Sequence, residues 1–524
     1  MSIKKATLSI HTFFQHHSFL AIWVLGFPLA ILLFVSEDFR ESEIYSRIGW
    51  AFVVVSLAYL IRSKKIYLIL LIPFFLTGLL EILYTLTFKH TFTSGLFTVI
   101  AETNPDESTE FLKSYFSVTT ALIVTFYSLG LLWFAKSIHL FRPESFKAKT
   151  VVVLGGLMLL VAAQQLAYHE RYRDVLPGAM GQLADGWSKY QQVQSELRHR
   201  PEILKQWEGQ VSRDNTDDVE THVVVIGESA VRGHHSLYGY HRLTNPELEK
   251  IKDELIIFEQ ATSPYAVTYL SLAETLTNST LDKPVPFTET VDVVGLAKLA
   301  GFETWWISTQ PKNEGTTLSV SSFADHRVYL SGHDEVIFPE FEKALKSNKD
   351  KVIFIHLRGS HLTYSKRYPE KFNYFGQSSD IKIYTDSPTQ VQINIVNTYD
   401  NSIRYTDWVI HKIIKKLKKN KGIGSLFYFS DHGEEIYDYE DFVGHELKRT
   451  TPVMFEIPFF MWHKPSVDEP KTNEVETLVK SLAIMPFKTD RFFDLFLCWS
   501  NITIIGDDYS CEPSNLKQVK SDAN

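Results

Sequence analysis

The sequence has little cysteine, because only Cys498 and Cys511 occur among 524 residues. Two cysteines exclude a zinc ribbon and the disulfide framework of a small secreted domain. The chain also lacks an excess of basic residues, with 53 Lys and Arg against 61 Asp and Glu, which excludes a cationic surface for nucleic acid. With this length and 45% hydrophobic residues, it can build large cores in more than one domain.

Long uncharged stretches are concentrated in the first third of the sequence. They cover residues 18–36, 48–61, 66–80 with a continuation past Glu81 to 88, 114–135 and 150–168. About 20 apolar helical residues cross a bilayer, so four stretches qualify and 48–61 is marginal. We predict a transmembrane domain of five helices over residues 1–168. A cleavable signal peptide fits poorly because an acidic segment follows the first stretch, and five buried helices of a soluble protein are the less favoured alternative.

The basic clusters between these stretches fall on one side of the membrane if the spans alternate. Lys4 and Lys5 precede the first stretch, and further basic groups separate the second from the third and the fourth from the fifth. The positive-inside rule therefore places the N-terminus in the cytoplasm and the chain after His169 outside, in the periplasm of a bacterium. Glu81 is an ionisable residue within the third stretch, so it is either functional or located at the outer membrane interface.

A polar, helix-favouring segment follows over residues 169–218. Trp187, Tyr190, Val193 and Leu197 recur in it every three or four residues, which predicts an amphipathic connector. From residue 219 to 500, β-branched runs alternate with helical stretches, as in a βαβ domain. We treat residues 501–524 as a C-terminal tail.

Acidic and imidazole side chains follow the predicted strands of this domain. The strands are predicted at 222–226, 303–307, 352–356 and 426–429, and ligand sites of open α/β sheets form where such strands end. Carboxylate and imidazole ligands together suit zinc or manganese better than magnesium. The sequence therefore predicts a metal centre drawn from Glu228, His356, His361, Asp431, His432 and His445.

Between the first two predicted strands, Thr268 and Ser271 are spaced to share one helical face. A hydroxyl at a helix N-terminus and beside a metal has a lowered pKa and can act as a nucleophile. The alternative is that Thr268 only caps the helix or packs against its neighbours.

The motifs at these positions resemble those of a known family. They are GES at 227–229, T-x-x-S at 268–271, GSH at 359–361, SDHGEE at 430–435 and GH at 444–445. Together with the leading apolar stretches, they resemble the bacterial phosphoethanolamine transferases of the alkaline phosphatase and sulfatase superfamily. The resemblance implies an alkaline-phosphatase-like α/β domain in a membrane-anchored, zinc-dependent enzyme. Such enzymes move phosphoethanolamine from phosphatidylethanolamine to lipid A or to a lipopolysaccharide core sugar.

The resemblance also implies roles for individual residues. Thr268 matches the phosphorylated nucleophile, which is also a zinc ligand together with Glu228, Asp431 and His432. The donor or acceptor phosphate, or a second zinc ion, would be bound by His361 and His445, which also serve catalysis, and His356 is a further substrate-binding candidate. The segment 102–107 resembles the family's contact with the donor headgroup, through Asn104 and Glu107, although a capped helix start explains it equally well.

Two departures from the family bear on the acceptor. The cysteine pair that commonly brackets the nucleophile is absent, with Pro264 and Ala273 in that neighbourhood, so the one possible bridge joins Cys498 and Cys511. In the loop at 309–315, Glu314 stands where the family commonly has Lys. These departures favour a core-sugar acceptor over lipid A.

Three alternative functions remain beside this interpretation. A membrane-anchored glycerolphosphate transferase or phosphodiesterase of the same superfamily would use the same residues with another donor. A sulfatase is disfavoured because no Cys or Ser lies in the C/S-x-P-x-R context that formylglycine formation requires. A catalytically silent scaffold that binds lipopolysaccharide would be expected to have lost some of these metal-binding residues.

Overall fold

The computed structural model describes residues 17–36, 39, 41–61, 63–102, 109, 117–137, 146–169, 172–214, 218–286, 289–310, 319–376, 378–447, 449–464 and 470–505. The chain divides into two compact units, Met1–Val193 and Gln194–Asn524. Cys498 is disulfide-bonded, whereas Cys511 lies outside the described residues.

The first unit is helical. Its helices are His17–Ala21 (α1), a π-helical turn Ile22–Gly26, Phe27–Val35 (α2), Glu41–Leu60 (α3), Lys64–Phe88 (α4), Gly95–Glu102 (α5), Val118–Ser137 (α6) and Phe146–His169 (α7). The helix Ala179–Gln206 (α8) contains the division between the units and covers much of the predicted connector.

Three helices in the described part of the chain are long and apolar enough to cross a membrane. They are Glu43–Leu60, Lys64–Phe88 and Val118–Ser137. Two shorter apolar helices, Phe19–Val35 and Lys149–Gln165, cover the first and fifth predicted spans. The second span, expected to be marginal, is thus among the three that qualify, and the prediction of five spans is not confirmed.

A buried ion pair joins α3 and α4 within this unit. Arg47 and Glu81 are 4% and 3% exposed, and Arg47 Nη2 donates a hydrogen bond to Glu81 Oε1. Arg47 Nη1 also donates to the Leu25 carbonyl over 3.2 Å, and Glu43 Oε2 lies 3.6 Å from Arg47 Nη2. Because a lone charge is costly between apolar helices, Glu81 depends on this partner.

The second unit is built around a seven-stranded sheet. Across the sheet the strands are Leu255–Ile257 (β3), Phe459–Lys464 (β11), Ile423–Ser430 (β8), Glu220–Gly227 (β2), Lys351–His356 (β7), Glu303–Ser308 (β5) and His326–Tyr329 (β6). Among the described residues, three short pairs lie outside it: Val211–Arg213 (β1) with Ile502–Ile504 (β13), Gln260–Thr262 (β4) with Pro486–Lys488 (β12), and Glu435–Ile436 (β9) with Val443–Gly444 (β10).

Five neighbouring strands of this sheet, β8, β2, β7, β5 and β6, are parallel. All four predicted strands are confirmed among them, each within slightly longer bounds. Three strands of the sheet were missed: β6, which is parallel, and β11 and β3, which pair antiparallel. In the register, Ile226 lies opposite His356 on one side and Phe429 on the other. The carboxyl ends of β2, β7 and β8 therefore lie at one level.

Helices cover both faces of the sheet, so its central strands are apolar on both sides. Along β2, Val224 and Ile226 belong to one core and Val223 and Val225 to the other. The helices of the unit are Thr268–Thr275 (α9), Val293–Leu299 (α10), Phe338–Leu345 (α11), Gln390–Lys419 (α12), Pro470–Ala483 (α13) and Phe492–Trp499 (α14). The first core includes side chains of α10, α13 and α14, and the second includes side chains of α11 and α12.

A buried network anchors α12 to the segment that follows β2. Asp400 on α12 accepts hydrogen bonds from His234 Nδ1 over 2.7 Å and from Arg242 Nη1 over 2.6 Å. His234 Nε2 lies 3.3 Å from Asp438 Oδ1. Burial alone would lower the pKa of His234, but the carboxylates of Asp438 and Asp400 outweigh it and raise this pKa to about 10.

We expect Glu81→Gln to destabilise the protein, because it leaves the Arg47 guanidinium buried without its counter-ion. Removing one partner of a buried pair costs about 3 to 5 kcal/mol. The measurement is the thermal unfolding midpoint of the full chain in detergent. Glu43→Gln is the matched control, since its carboxylate lies 3.6 Å from the same guanidinium, and it should cost much less. Equal midpoints for the two variants would contradict a stabilising role for the pair.

The raised pKa of His234 predicts a pH dependence of stability. An unfolded histidine titrates near pH 6.5, so the extra stability is fully present below that pH and is lost as pH rises toward 10. Between these limits, the difference in unfolding free energy between the parent protein and His234→Asn should shrink by at most about 1.4 kcal/mol per pH unit. Denaturant unfolding of the full chain between pH 6.5 and 9.5 measures it. A difference that stays constant with pH would show that His234 does not carry the charge.

Candidate metal centre

The loops after β2 and β8 bring three ligand-type side chains together. Glu228 follows β2 directly, and Asp431 and His432 follow β8. One ligand atom from each lies within 4.8 Å of the others, and the three residues are at most 2% exposed. The adjacent parallel strands explain this convergence, since their carboxyl ends meet at one edge of the sheet.

The three side chains present lone pairs to one another. His432 Nδ1 donates a hydrogen bond to the Gly433 carbonyl over 2.8 Å, so the lone pair of the ring lies on Nε2 when the ring is neutral. Burial lowers the pKa of His432, which favours that neutral form. Its Nε2 lies 3.6 Å from Glu228 Oε1 and 3.3 Å from Asp431 Oδ2. Such a set of buried acceptors is stabilised by a cation.

The carboxylate of Asp431 is also arranged so that a cation would stabilise it. Its Oδ1 accepts hydrogen bonds from the backbone N–H of Ser229 over 3.1 Å and of His432 over 2.8 Å. Its Oδ2 is buried and has no hydrogen-bond partner among the described residues. Two carboxylates and one imidazole form a ligand set that zinc uses in proteins, so the residues present fit a zinc ion.

Helix α9 begins at this cluster. Thr268 is its first residue and is half-buried, and Thr268 Oγ1 lies 3.2 Å from His432 Nε2. Ser271, three residues later, donates from Oγ to the Asp431 carbonyl over 2.5 Å. The predicted shared face therefore exists, and it places the Thr268 hydroxyl beside the three ligand-type side chains while Ser271 ties the helix to their loop.

The ring of His445 packs against the ring of His432. Their ring centroids are 4.1 Å apart, and His445 Nδ1 lies 3.3 Å from Glu434 Oε1. Glu434 is buried and accepts a hydrogen bond from Tyr364 Oη over 2.7 Å, while burial raises the pKa of Glu434 to about 8. Sequence analysis missed Glu434 as an orienting group, although its place beside His432 in SDHGEE was a usable signal.

The other two predicted histidines, His361 and His356, differ in the solvent exposure of their side chains. His361 is half-buried, and burial together with the positive charges of Arg358 and Arg367 and the nearby His445 holds its pKa well below the usual value. His356 is completely buried with its ring edge-to-face against Trp306, and burial lowers its pKa to about 4. The substrate-binding role of His356 stays a prediction, but its side chain offers no surface to a substrate.

Gln310 is a second residue that sequence analysis missed. It is 2% exposed, and its Nε2 donates to Glu228 Oε2 over 2.9 Å and to the Leu357 carbonyl over 3.1 Å. Its position just after β5, at the same edge of the sheet, was the available signal. Asn104 and Glu107, the predicted donor contacts, lie outside the described residues, as does Glu314.

The chain is similar to known proteins over most of its length. Residues 220–489 match the family model described as Sulfatase. The phosphoethanolamine transferase EptC of Escherichia coli (strain K12) is 26% identical over 483 residues, which cover 84% of this chain and 82% of that protein.

Two solved structures share the fold. The periplasmic domain of Escherichia coli EptC in complex with zinc has a TM-score of 0.52 and 26% identity, covering 57% of this chain and 87% of that one. The integral membrane phosphoethanolamine transferase EptA of Neisseria meningitidis has a TM-score of 0.65 and 20% identity, covering 93% and 96%. The resemblance seen in the sequence motifs is confirmed, and the chain, a homologue of phosphoethanolamine transferases, belongs to the sulfatase family.

Proposed function

We propose that this protein transfers phosphoethanolamine from phosphatidylethanolamine to a lipopolysaccharide acceptor, a core sugar or a lipid A phosphate, through a phospho-threonine at Thr268. One observation carries the proposal: the hydroxyl of the half-buried Thr268, at the start of α9, lies 3.2 Å from His432 Nε2 in a buried cluster that is suited to zinc. The similarity to EptC along most of both chains supports the donor group.

In the first half-reaction, Thr268 Oγ1 attacks the phosphorus of the donor. Oγ1 gives up its proton and bonds to phosphorus, the bond from phosphorus to the diacylglycerol oxygen breaks, and that oxygen takes up a proton as diacylglycerol leaves. A zinc ion held by Glu228, Asp431, His432 and Thr268 would favour the alkoxide of Thr268 and offset negative charge on the phosphoryl oxygens. In the second half-reaction, the acceptor oxygen bonds to phosphorus and gives up any proton that it carries, the bond from phosphorus to Thr268 Oγ1 breaks, and Oγ1 takes up a proton to restore the hydroxyl.

We assign to His361 and His445 the role of assisting both half-reactions. As neutral rings they donate N–H hydrogen bonds to the phosphoryl oxygens or hold a second zinc ion, and they can protonate the departing alkoxide only once the negative charge of the bound phosphate raises their pKa. Glu434 orients His445, since the two side chains are 3.3 Å apart and Tyr364 holds the carboxylate from its other oxygen. Because Thr268 is half-buried and the neighbouring ligand-type side chains are buried, little water can reach the phospho-threonine and hydrolyse it.

The location of the reaction is part of the proposal. We place the protein in the bacterial inner membrane with five spans over residues 1–168, a connector over 169–218, a periplasmic catalytic domain over 219–500 and a tail over 501–524. Three helices long enough to span and the alternation of basic flanks support this arrangement. Asn104 and Glu107 are the proposed contacts of the donor headgroup.

We expect Thr268→Ala to abolish transfer while leaving the fold and the bound zinc in place, because it removes the attacking oxygen but none of the three other ligands. Intact-protein mass spectrometry after incubation with phosphatidylethanolamine should detect an added phosphoethanolamine group on the parent protein and none on the variant. Thr268→Ser should retain the adduct, and Thr275→Ala controls for loss of a threonine from the same helix. An adduct on Thr268→Ala would disprove the assigned nucleophile.

We expect the donor to be phosphatidylethanolamine and the acceptor to be lipopolysaccharide. The purified protein should release diacylglycerol from phosphatidylethanolamine but not from phosphatidylglycerol. Lipopolysaccharide from cells with the protein should carry one more phosphoethanolamine group on the core oligosaccharide or on lipid A than that from cells without it. Release from phosphatidylglycerol alone would favour a glycerolphosphate transferase or phosphodiesterase, and an unmodified lipopolysaccharide would exclude the proposed acceptor.

A further inference from the structure

The loop that carries Glu228 has a strained backbone. Ser229, the next residue, is fully buried and has a φ of 54°, a left-handed conformation that is unfavourable for a residue other than glycine. In this conformation the Ser229 N–H reaches Asp431 Oδ1 over 3.1 Å. The strained residue thus connects the two loops that supply the ligand-type side chains.

A side chain from α12 holds this conformation. Tyr399 is fully buried, and its Oη donates a hydrogen bond to the Ser229 carbonyl over 2.7 Å and accepts one from the Val231 N–H over 2.9 Å. The two bonds act on backbone groups two residues apart, immediately after Glu228. They satisfy two buried polar groups and hold the backbone of the strained residue in place.

The ring of Tyr399 is positioned independently of its hydroxyl. It packs edge-to-face with Tyr364, 5.0 Å between centroids, and with His234, 5.1 Å between centroids. Removing only the hydroxyl therefore leaves the ring in its cavity and tests the two hydrogen bonds alone.

We propose that Tyr399 is a positioning residue of the metal centre, which keeps Ser229 left-handed so that Glu228 and Asp431 face the same ion. Without its hydroxyl, the buried Ser229 carbonyl and Val231 N–H lose their partners and the strain of Ser229 is no longer opposed. Relaxation of Ser229 turns its N–H away from Asp431 Oδ1 and moves the attachment point of Glu228. The inference rests on the proposed metal-dependent function, because it concerns the same three ligands.

Tyr238 offers a matched control elsewhere in the second unit. Its Oη donates to the Phe459 carbonyl over 2.7 Å and accepts from the Phe459 N–H over 2.9 Å, the same pattern and distances as those of Tyr399. Its two bonds are made to strand β11 and not to the loops that carry Glu228, Asp431 and His432. Tyr238→Phe and Tyr399→Phe thus remove equivalent bonds at different places.

The test uses the full chain in detergent, stripped of metal and titrated with Zn²⁺ in competition with a chromophoric chelator. Tyr399→Phe should weaken Zn²⁺ binding by about 10-fold, a usual loss for a residue that orients a metal ligand, and Tyr238→Phe should leave it unchanged. The visible absorption spectrum of bound Co²⁺ should change only in Tyr399→Phe, whereas thermal unfolding of both metal-free variants should shift by similar amounts.

Three outcomes would overturn the inference. They are unchanged Zn²⁺ affinity in Tyr399→Phe, an equal loss in Tyr238→Phe, or a Tyr399→Phe chain that fails to fold while Tyr238→Phe folds, since its role would then be structural. A parent protein that binds neither Zn²⁺ nor Co²⁺ would instead overturn the proposed function itself.

A second variant tests the strain directly. Glycine adopts a φ of about 54° without steric cost, so Tyr399→Phe should lose less Zn²⁺ affinity when combined with Ser229→Gly than it loses alone. The Zn²⁺ affinity of Tyr399→Phe is compared with that of the parent protein, and the affinity of the double variant is compared with that of Ser229→Gly alone. The effect of deleting the Ser229 hydroxyl therefore cancels. Equal losses in the two backgrounds would show that Tyr399 does not act through the conformation of Ser229.

Discussion

The second unit depends on holding two carboxylates and an imidazole lone pair in one buried space. Glu228, Asp431 and His432 are nearly inaccessible to solvent, and atoms of like polarity lie within 4.8 Å of one another. In a medium of low dielectric constant this arrangement is unfavourable until a cation binds. The hydrogen bonds to Asp431 Oδ1 and Glu228 Oε2 restrict each carboxylate to one orientation and so prepare the site for the ion.

The parallel sheet provides the geometry for this cluster. Because β2, β7 and β8 are in register, their carboxyl ends lie at one level, and short loops suffice to bring ligands together. Two helices that pack at this edge of the sheet also hold the loops. Ser271 on α9 donates a hydrogen bond to the Asp431 carbonyl, and Tyr399 on α12 donates one to the Ser229 carbonyl. The site is therefore held by two helices as well as by the strands that carry it, which is what precise transfer of a phosphoryl group requires.

A pair of opposite charges also occurs in the helical unit, where the surroundings are apolar because the helices themselves consist mainly of apolar residues. Arg47 and Glu81 lie within helices long enough to span a bilayer, and each is nearly inaccessible. A single charge in these surroundings would be costly, so each of the two residues needs the other as its counter-ion. The helical unit thus compensates its buried charge with a counter-ion from the chain itself, whereas the carboxylates of Glu228 and Asp431 are compensated by a cation that binds between them.

The sequence by itself determined the main strands, because runs such as 222–226 are apolar on both faces and only a parallel sheet covered by helices accommodates them. It also determined Glu228, Asp431, His432 and Thr268 as candidates, since polar residues at strand ends and at a helix start stand out locally. Tertiary structure alone decided between histidines with similar sequence signals: the ring of His445 packs against His432, whereas that of His356 is buried against Trp306. It alone revealed Tyr399, which lies 170 residues from Ser229. Such contacts depend on how distant segments pack, and no local pattern of residue types records that packing.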